Sequence, residues 1–185
     1  MKKKTKYVIL GLLRDENLTG YEIKKVIDSR MPFFWQESFG QIYPELNALA
    51  ADGFISEAPG QPPQEKEGRV RIKYRITEKG LAEFNHWMEE SNEKDTVRSE
   101  ALLKFFLASS NNTGAIKRHL RDFRENSEEL LNLYLCFEDQ LKEYRDMHDN
   151  HKYLLEVLSL GIMQQKLYFS WSSNYLCKLE KEEAE

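Results

Sequence analysis

The 185-residue sequence has few of the motifs on which most enzymes, metalloproteins and secreted proteins depend. It contains no glycine-rich phosphate loop, no GxSxG elbow and no HExxH helix, which argues against an enzyme and against a bound cofactor. Its two cysteines, Cys136 and Cys177, are too far apart for a CxxC pair, and their apolar neighbours predict buried free thiols. His148 and His151 could share a zinc ion, but no third ligand lies nearby in sequence, so surface or junction histidines are favoured.

Sequence features of secretion and of membrane insertion are also missing. The apolar run from Tyr7 to Leu13 follows several lysines, but Arg14, Asp15 and Glu16 end it early, and no small-residue cleavage site follows. We therefore expect a cytoplasmic protein with no membrane partner. Because 41% of the residues are apolar and 12% are aromatic, the chain can bury a core.

Charge is unevenly distributed along the chain. The formal net charge is −4, yet residues 1–90 hold 14 Lys and Arg against 14 Asp and Glu, so the acidic excess lies in residues 91–185. Within residues 66–79, six basic residues accompany only two acidic ones. A local positive patch on an acidic protein fits one phosphate-binding surface better than general affinity for polyanions.

Two helices are predicted before residue 37. The apolar segment from Lys4 to Arg14 is interpreted as the first. Thr19 and Glu22 form a capping box in which each side chain bonds the other's backbone, so a second helix should begin at Gly20. Its inner face should carry Ile23, Val26 and Ile27.

A third helix should begin at Ser38 and stop at Gly53. Ser38 and Gln41 form a second capping box, and Gly53 is placed as a C′ glycine. Ile42, Leu46 and Leu49 recur at spacings of four and three and predict the buried face. The residues left on other faces are Gly40, Gln41, Tyr43, Pro44 and Asn47. Because Pro44 lies beyond the first turn, we expect a kink or a loosened start.

A basic β-ribbon follows this helix. Phe54 to Ala58 is interpreted as a strand, and Pro59 to Gly68 as a mobile loop without regular structure. From residue 69 to residue 76, basic and apolar residues alternate, and in one strand this period of two puts the cations on one face. Thr77 should cap a fourth helix that carries Leu81, Phe84, Trp87 and Met88.

The second half is predicted to be helical throughout. Its helices should span Val97–Ser109, Ala115–His148 and Asn150–Glu180, with the tract at residues 111–114 ending the first. The middle helix carries an apolar ladder spaced alternately by four and three residues. The last helix is apolar over so wide an arc that it needs two partners, and we predict that one of them is a second copy of the chain.

A helix with an uncharged exposed face beside a basic ribbon is the layout of a winged helix-turn-helix that binds duplex DNA. Gln41 can make a bidentate hydrogen bond to an adenine edge, Tyr43 can stack on sugar or methyl surface and donate its hydroxyl to phosphate, and Gly40 permits close approach of the backbone. Most of the affinity would then come from the cations of the ribbon, from the Lys2–Lys4 arm and from helix N-termini. The alternatives are that the cations are only the solvated face of a strand, or that the module binds other proteins.

Two aromatic clusters could form a pocket for a small ligand. Phe33, Phe34 and Trp35 lie between the second and third helices, and Tyr168, Phe169, Trp171 and Tyr175 lie in the last helix. If the last helix folds back on the N-terminal module, these rings could enclose a small aromatic acid with Lys166 or Arg98 at the mouth. Plain interdomain core is the favoured interpretation.

Four stretches of this chain are informative together: YVILGLL, LTGYEI, FFWQESFGQIYPELNALAADGFI and GRVRIKYRITEKG. They closely resemble the N-terminal domain of the PadR family of bacterial transcription regulators. The helical remainder, with SEALLKFFLASS and KLYFSW, resembles the dimerisation domain of the family's longer-tailed subgroup. The resemblance implies a mainly α fold, with a winged helix-turn-helix and a two-stranded β wing in residues 1–92. It implies an all-α dimerisation domain with long antiparallel helices in residues 93–185.

The resemblance also implies roles for individual residues. The positions that match the DNA-binding surface are Tyr21, Ser38, Gly40, Gln41, Tyr43, Pro44, Arg71 and Lys73, and Arg69 belongs to the same basic ribbon. The founding regulator of the family responds to phenolic acids, and Lys166, Tyr168 and Trp171 resemble its terminal helix. Phe39 departs from the family pattern, in which a histidine would be expected, and the wing loop PGQPPQEKEG is longer than usual. We therefore expect an effector-responsive repressor that binds a palindromic operator as a homodimer; the alternative is a winged-helix protein-interaction module.

Overall fold

The computed structural model describes residues 4–31, 34–59, 64–66, 69–94, 98–143 and 150–182. The chain divides into two compact units, Met1–Lys94 and Asp95–Glu185. The first combines helices with short β-strands, and the described residues of the second are helical or in turns. The assignment of residues 1–92 to DNA binding and of residues 93–185 to dimerisation stays a prediction at this point.

The first unit has the element order of a winged helix-turn-helix, as predicted. Its elements are α1 (Thr5–Asp15), β1 (Leu18–Thr19), α2 (Gly20–Arg30), α3 (Phe39–Ala51), β2 (Ile55–Glu57), β3 (Gln64–Lys66), β4 (Arg69–Arg71), β5 (Lys73–Ile76) and α4 (Glu78–Glu89). Strand β5 lies between β1 and β2 in an antiparallel sheet. Strands β3 and β4 form a separate antiparallel pair, which is the outer part of the wing.

The core of the first unit packs α1, α2, α3 and α4 together. Its fully buried side chains include Ile9, Leu10, Ile23, Ile27, Ile42 and Leu46. Burying a side chain of this size stabilises the fold by about 1.5–3 kcal/mol relative to leaving it exposed. On the α4 side, the rings of Tyr7 and Trp87 stack with centroids 4.5 Å apart. These contacts hold α3 by its apolar stripe, so its opposite face is left on the surface.

The start of α2 confirms the predicted capping box. The Glu22 N–H donates to Thr19 Oγ1 at 3.2 Å, and the Thr19 N–H donates to Glu22 Oε2 at 2.8 Å. Because these bonds satisfy backbone donors that have no partner within the helix, they fix its first residue as Gly20. Thr77 starts α4 in a similar way, since its Oγ1 accepts from the Gly80 N–H at 3.1 Å.

The end of α3 at Gly53 is also confirmed. Gly53 has a φ of +74°, a left-handed conformation that glycine adopts without steric cost. Its N–H donates to the Ala50 carbonyl at 3.1 Å, and the Phe54 N–H donates to the Leu49 carbonyl at 2.9 Å. This pair of bonds is a Schellman motif, which stops the helix and directs the chain into β2.

The structure corrects the sequence prediction in the wing. The segment from Pro59 to Gly68 was expected to lack regular structure, but Gln64–Lys66 forms β3 and pairs with β4. The expected continuous strand from residue 69 to residue 76 is interrupted at Ile72, so β4 and β5 belong to different sheets. The predicted continuous strand is therefore wrong, and the placement of all four cations on one face stays a prediction.

The second unit contains α5 (Glu100–Leu107), a 3₁₀ turn (Ser110–Asn112), α6 (Thr113–Glu143) and α7 (His151–Glu182). Helices α6 and α7 are antiparallel neighbours, because Leu120 near the start of α6 packs with Leu176 near the end of α7. Arg121 and Glu180 also approach to 3.7 Å. Four positions of the apolar ladder predicted on α6 are buried: Ile116, Leu120, Ser127 and Tyr134.

Three predictions for the second half need correction. Helix α5 is shorter than expected, and the tract at residues 111–114 spans the 3₁₀ turn and the first residues of α6. Ser109 and Asn112 make local hydrogen bonds that nucleate this turn, at 3.0 Å from the Ser109 N–H and 2.9 Å from its hydroxyl. Cys136 and Cys177 are exposed, so buried thiols were wrong. Apolar neighbours in sequence did not bury them, because each points away from the face that its helix packs.

None of the helices in the described segments combines the length and the hydropathy of a membrane span. Likewise, no cluster of three or more His, Cys, Asp or Glu side chains suited to a metal occurs among the described residues. Of the histidine pair considered above, His148 lies outside those residues.

Candidate nucleic-acid interface

The N-terminus of α2 packs against α3 at Gly20. A Cβ atom at this position would lie 2.7 Å from Tyr43 Cε1 and 3.0 Å from Leu46 Cδ1. Only glycine therefore lets the first turn of α2 approach α3 this closely without displacing the Tyr43 ring. The consequence is that Tyr21, the next residue, lies beside the exposed start of α3.

Three aromatic side chains connect the two helix starts, and we call them the aromatic ladder: Tyr21, Phe39 and Tyr43. Their exposed fractions are 46%, 44% and 47%. The Phe39 ring is nearly parallel to both neighbours, with centroids 6.4 Å from Tyr21 and 5.9 Å from Tyr43. The Lys24 ammonium, which is paired with Asp28, lies 5.8 Å from the centroid of the Phe39 ring. The ladder is thus ordered by stacking while nearly half of each side chain remains in solvent.

The predicted reading helix places its candidate residues on one exposed surface. Ser38, Gly40, Gln41, Tyr43 and Pro44 are all exposed, and so is Asn47. Helix α3 begins at Phe39 directly after its cap and continues through Pro44, so the expected loosened start is not observed. Because proline has no N–H, the Gly40 carbonyl lacks the donor that residue 44 would otherwise supply.

The Gln41 side chain is already engaged in the cap of its own helix. Its Oε1 accepts from the Ser38 N–H and from the Ser38 hydroxyl, each at 2.8 Å. A backbone N–H can only donate, so the atom that faces it must be the amide oxygen rather than the NH2 group. In this conformation Gln41 offers a donor to a ligand but not a free acceptor. Bidentate pairing with adenine, as predicted from the sequence, would require the cap to open.

The wing is joined to this surface through β5. Lys73 pairs with Thr19, the cap of α2, so the first residue of β5 lies beside the start of that helix. Lys73 is half-buried, and Arg75 is exposed with its Nε donating to Ser56 Oγ at 3.1 Å. Burial raises the pKa of the neighbouring Tyr74 phenol, and the Glu57 carboxylate and the Tyr43 phenol raise it further. Strand β5 is therefore close to α3 as well as to α2.

The remaining candidate cations are placed only by their backbones. Arg69 and Arg71 belong to β4 and pair with Lys66 and Gln64 of β3. Lys2 and Lys3 of the predicted basic arm lie outside the described residues. Lys4 approaches Glu93 to 3.8 Å.

Behind the interface, a buried carboxylate fixes the approach to α3. Glu37 is 5% exposed, and its Oε1 accepts from Thr5 Oγ1 and from Trp35 Nε1, both at 2.9 Å. The residue that precedes the Ser38 cap is thereby tied to the start of α1. The segment that leads into α3 is therefore held in place by hydrogen bonds from Thr5 and Trp35 to Glu37.

The residues of the predicted effector pocket fall into two units. Phe33 lies outside the described residues, and Trp35 packs against the core of the first unit. Lys166, Tyr168 and Trp171 belong to α7 in the second unit, where Lys166 is exposed. The ring centroids of Tyr168 and Trp171 lie 5.3 Å and 5.9 Å from that of Phe123, so both rings are part of an aromatic cluster between α6 and α7. A pocket shared by these five residues stays a prediction.

Comparison with known proteins identifies the family. Residues 9–86 match the transcriptional regulator PadR-like family, and residues 97–180 match the family described as virulence activator alpha C-term. The two matches together span both compact units. The chain belongs to the PadR-like family.

Relatives of this PadR-like regulator share its full length. The negative transcriptional regulator PadR of Bacillus subtilis (strain 168) is 28% identical over 183 residues, which are 96% of this chain and 98% of the relative. A crystal structure of a PadR-like transcriptional regulator from Bacillus cereus has a TM-score of 0.79 at 27% identity, covering 97% of this chain and 99% of that one.

Two structures of Bacillus subtilis PadR, both 26% identical to this chain, contain ligands. The complex with operator DNA has a TM-score of 0.79 and covers 96% of this chain and 99% of that one. The complex with p-coumaric acid has a TM-score of 0.73 with the same coverage.

Sequence analysis missed the part of the interface that depends on contacts between helices. Phe39 was noted only as a departure from the family pattern, and Lys24 was not considered. The i,i+4 spacing of Phe39 and Tyr43 was a usable signal, because residues four apart lie on one side of a helix. The contribution of Tyr21 to the ladder had no local signal, since it depends on how α2 crosses α3.

Proposed function

We propose that this PadR-like regulator is an effector-responsive repressor that binds a palindromic operator in double-stranded DNA as a homodimer. The observation that carries the proposal is the exposed, uncharged surface of α3 beside the first residue of β5. The Bacillus subtilis relative, which is described as a negative regulator and has been crystallised with operator DNA, supports the same function. On this proposal the protein has no catalytic activity and acts in the cytoplasm, where its DNA target lies.

In the proposed complex α3 enters the major groove, which is about 12 Å wide and admits a helix. Gly40 brings the backbone close to the base edges, and the Gln41 NH2 group donates to an acceptor on a base. Tyr21, Ser38, Tyr43 and Pro44 line the contact between α3 and the sugar-phosphate walls. Arg69, Arg71 and Lys73 of the wing supply the positive charge that α3 lacks, and the capped starts of α2 and α3 point their partial positive charge at phosphates.

The homodimer is supported by an exposed apolar stripe on α7. Its members, with exposed fractions from 38% to 65%, are Tyr153, Val157, Leu160, Met163, Leu167 and Trp171. Spacings of three and four residues place all six on one side of the helix. A monomer would leave this stripe in water, whereas a second copy would cover it. A two-fold dimer predicts two operator half-sites about 34 Å apart.

Regulation by a small aromatic acid is the third part of the proposal. The relative's complex with p-coumaric acid supports it, and Lys166, Tyr168 and Trp171 of α7 are the residues that we propose contact the effector. Lys166 would pair with the carboxylate of such an acid, and the aromatic rings would stack on its ring. Titration with p-coumaric acid, followed by tryptophan fluorescence, measures this part independently of DNA binding.

Binding to DNA flanking the protein's own gene tests the function directly. Footprinting should find a protected palindrome, and affinity should fall steeply with salt, because each neutralised phosphate contributes about −0.9 to the slope of log K against log salt. Arg71→Ala should weaken binding to all duplexes alike, whereas Gln41→Ala should relax the preference for the operator. Binding that hardly responds to salt and shows no protected site would favour the protein-interaction module instead.

A further inference from the structure

The first residue of the reading helix is an exposed phenylalanine. Phe39 directly follows the Ser38 cap and is 44% exposed, although it is one of the most apolar residues on α3. The helix does not need it for its core, because Ile42, Leu46 and Leu49 fill that role at 0%, 0% and 2% exposure. Its neighbours in sequence, Ser38 and Gly40, are exposed as well. An apolar ring is therefore presented in the middle of a polar surface.

Stacking holds this ring in one position. Tyr21 and Tyr43 lie on either side with interplanar angles of 11° and 23°. Tyr43 in turn rests against Gly20, where a Cβ atom would collide with its ring. Because the ring is ordered before any ligand arrives, a contact with it costs little additional side-chain entropy.

The major groove offers one apolar group to such a ring. Among the four base pairs, the C5 methyl of thymine is the only hydrocarbon group on the major-groove edge, and phenylalanine is among the side chains that contact it. Phe39 lies in the first turn of α3 and stacks with Tyr43, four residues further on the same face, so its ring belongs to the surface that the proposed complex places in the groove.

We infer that Phe39 is a specificity residue whose ring contacts the C5 methyl group of one thymine in each operator half-site. This inference rests on the proposed function, because it requires α3 to enter the major groove. It adds a base preference that Gly40 and Gln41 do not supply, and it assigns the methyl contact to Phe39 rather than to Tyr43. If a second copy of the chain or another protein bound the aromatic ladder instead, DNA affinity would not depend on the thymine methyl group.

The experiment removes only the methyl group. The operator is first selected from random duplexes with the full-length protein, and each thymine is then replaced singly by deoxyuridine. At one thymine per half-site, wild-type affinity should fall about fourfold, the effect expected for losing one buried methyl group, and replacing both copies should lower it about sixteenfold. At that position Phe39→Ala should bind the thymine and deoxyuridine duplexes equally, while Phe39→Leu should keep part of the preference.

Met88→Ala is the control, since it removes an exposed apolar side chain, 62% exposed, from α4 and leaves the aromatic ladder intact. It should retain the thymine preference at the Phe39 position. If no thymine methyl affects wild-type binding, or if the same methyl has an undiminished effect in Phe39→Ala, the inference is wrong while operator binding stands. If the selection enriches no duplex, the proposed function fails and the inference fails with it. The wild-type deoxyuridine series gives its answer even if a variant does not fold.

Discussion

Gly40→Ala should affect folding and DNA binding in opposite directions. In the free protein a Cβ atom at residue 40 would meet only Ser38 Oγ, at 3.6 Å, which is an ordinary van der Waals contact. Alanine is favoured over glycine in a helix interior by about 1 kcal/mol, and at the second residue of α3 we expect about half of this. The free energy of unfolding should therefore rise by about 0.5 kcal/mol.

In the proposed complex the same methyl group would occupy the space through which the backbone approaches the bases. Forcing one extra methyl group into a close-packed contact costs about 1–3 kcal/mol, which corresponds to a loss of about fivefold to 150-fold in operator affinity. Urea unfolding followed by tryptophan fluorescence measures the first effect, and fluorescence anisotropy with a labelled operator at fixed salt measures the second. Equal operator affinity for the Gly40→Ala variant and the wild-type protein would refute the close approach at Gly40.

Gly53→Ala is the matched control for this pair of measurements. Gly53 has open space around its position, but its φ of +74° is strained for any L-residue. Alanine there should lower the free energy of unfolding by about 1 kcal/mol. Operator affinity should not change, because Gly53 terminates α3 at the end away from Gly40. The two variants therefore separate stability from DNA contact.

Three further predictions concern stability and assembly. Gly80→Ala should unfold the first unit, since a Cβ atom would lie 2.1 Å from the Phe54 carbonyl oxygen, and circular dichroism would detect the loss. The Lys6 hydrogen bond lowers the pKa of Glu83 below its ordinary value of 4.5, so this carboxylate stabilises the folded state above that pH and ceases to do so as pH falls through the lowered value. Wild type should consequently exceed Glu83→Gln in unfolding free energy by more at pH 7 than at pH 3, and an equal difference would contradict this. Leu160→Asp should convert the proposed dimer to a folded monomer in analytical ultracentrifugation, because it puts a charge in the apolar stripe of α7; an unchanged dimer would place the interface elsewhere.

Sequence reasoning was most successful where the determinants are local. The capping box of Thr19 and Glu22 and the left-handed Gly53 lie within a few residues of the helix ends that they define, so both ends were predicted. The apolar stripe of α3 follows from helical periodicity in the same way. The pairing of α6 with α7 could also be predicted from the sequence, because a long apolar ladder on one helix requires a long partner helix.

The errors arose where a distant partner decides the local structure. Ile72 interrupts the basic ribbon because β5 pairs with β1 and β2, while β4 pairs with β3. The exposure of Cys136 depends on which face α6 buries, and its immediate neighbours do not specify this. The stacked position of Phe39 likewise depends on Tyr21, eighteen positions earlier in the chain. Residue types suggested the chemistry of the surface, but its arrangement required the crossing of α2 and α3.

The amide of Gln41 has two competing uses. In the proposed complex, a base that donates to the Gln41 oxygen must displace the hydrogen bonds from Ser38. This loosens the first turn of α3. Bidentate pairing with adenine is disfavoured by this competition, whereas a base edge that only accepts hydrogen bonds leaves the turn intact. In the proposed complex, a substitution at residue 38 alone could therefore change the preferred operator without a change at Gln41.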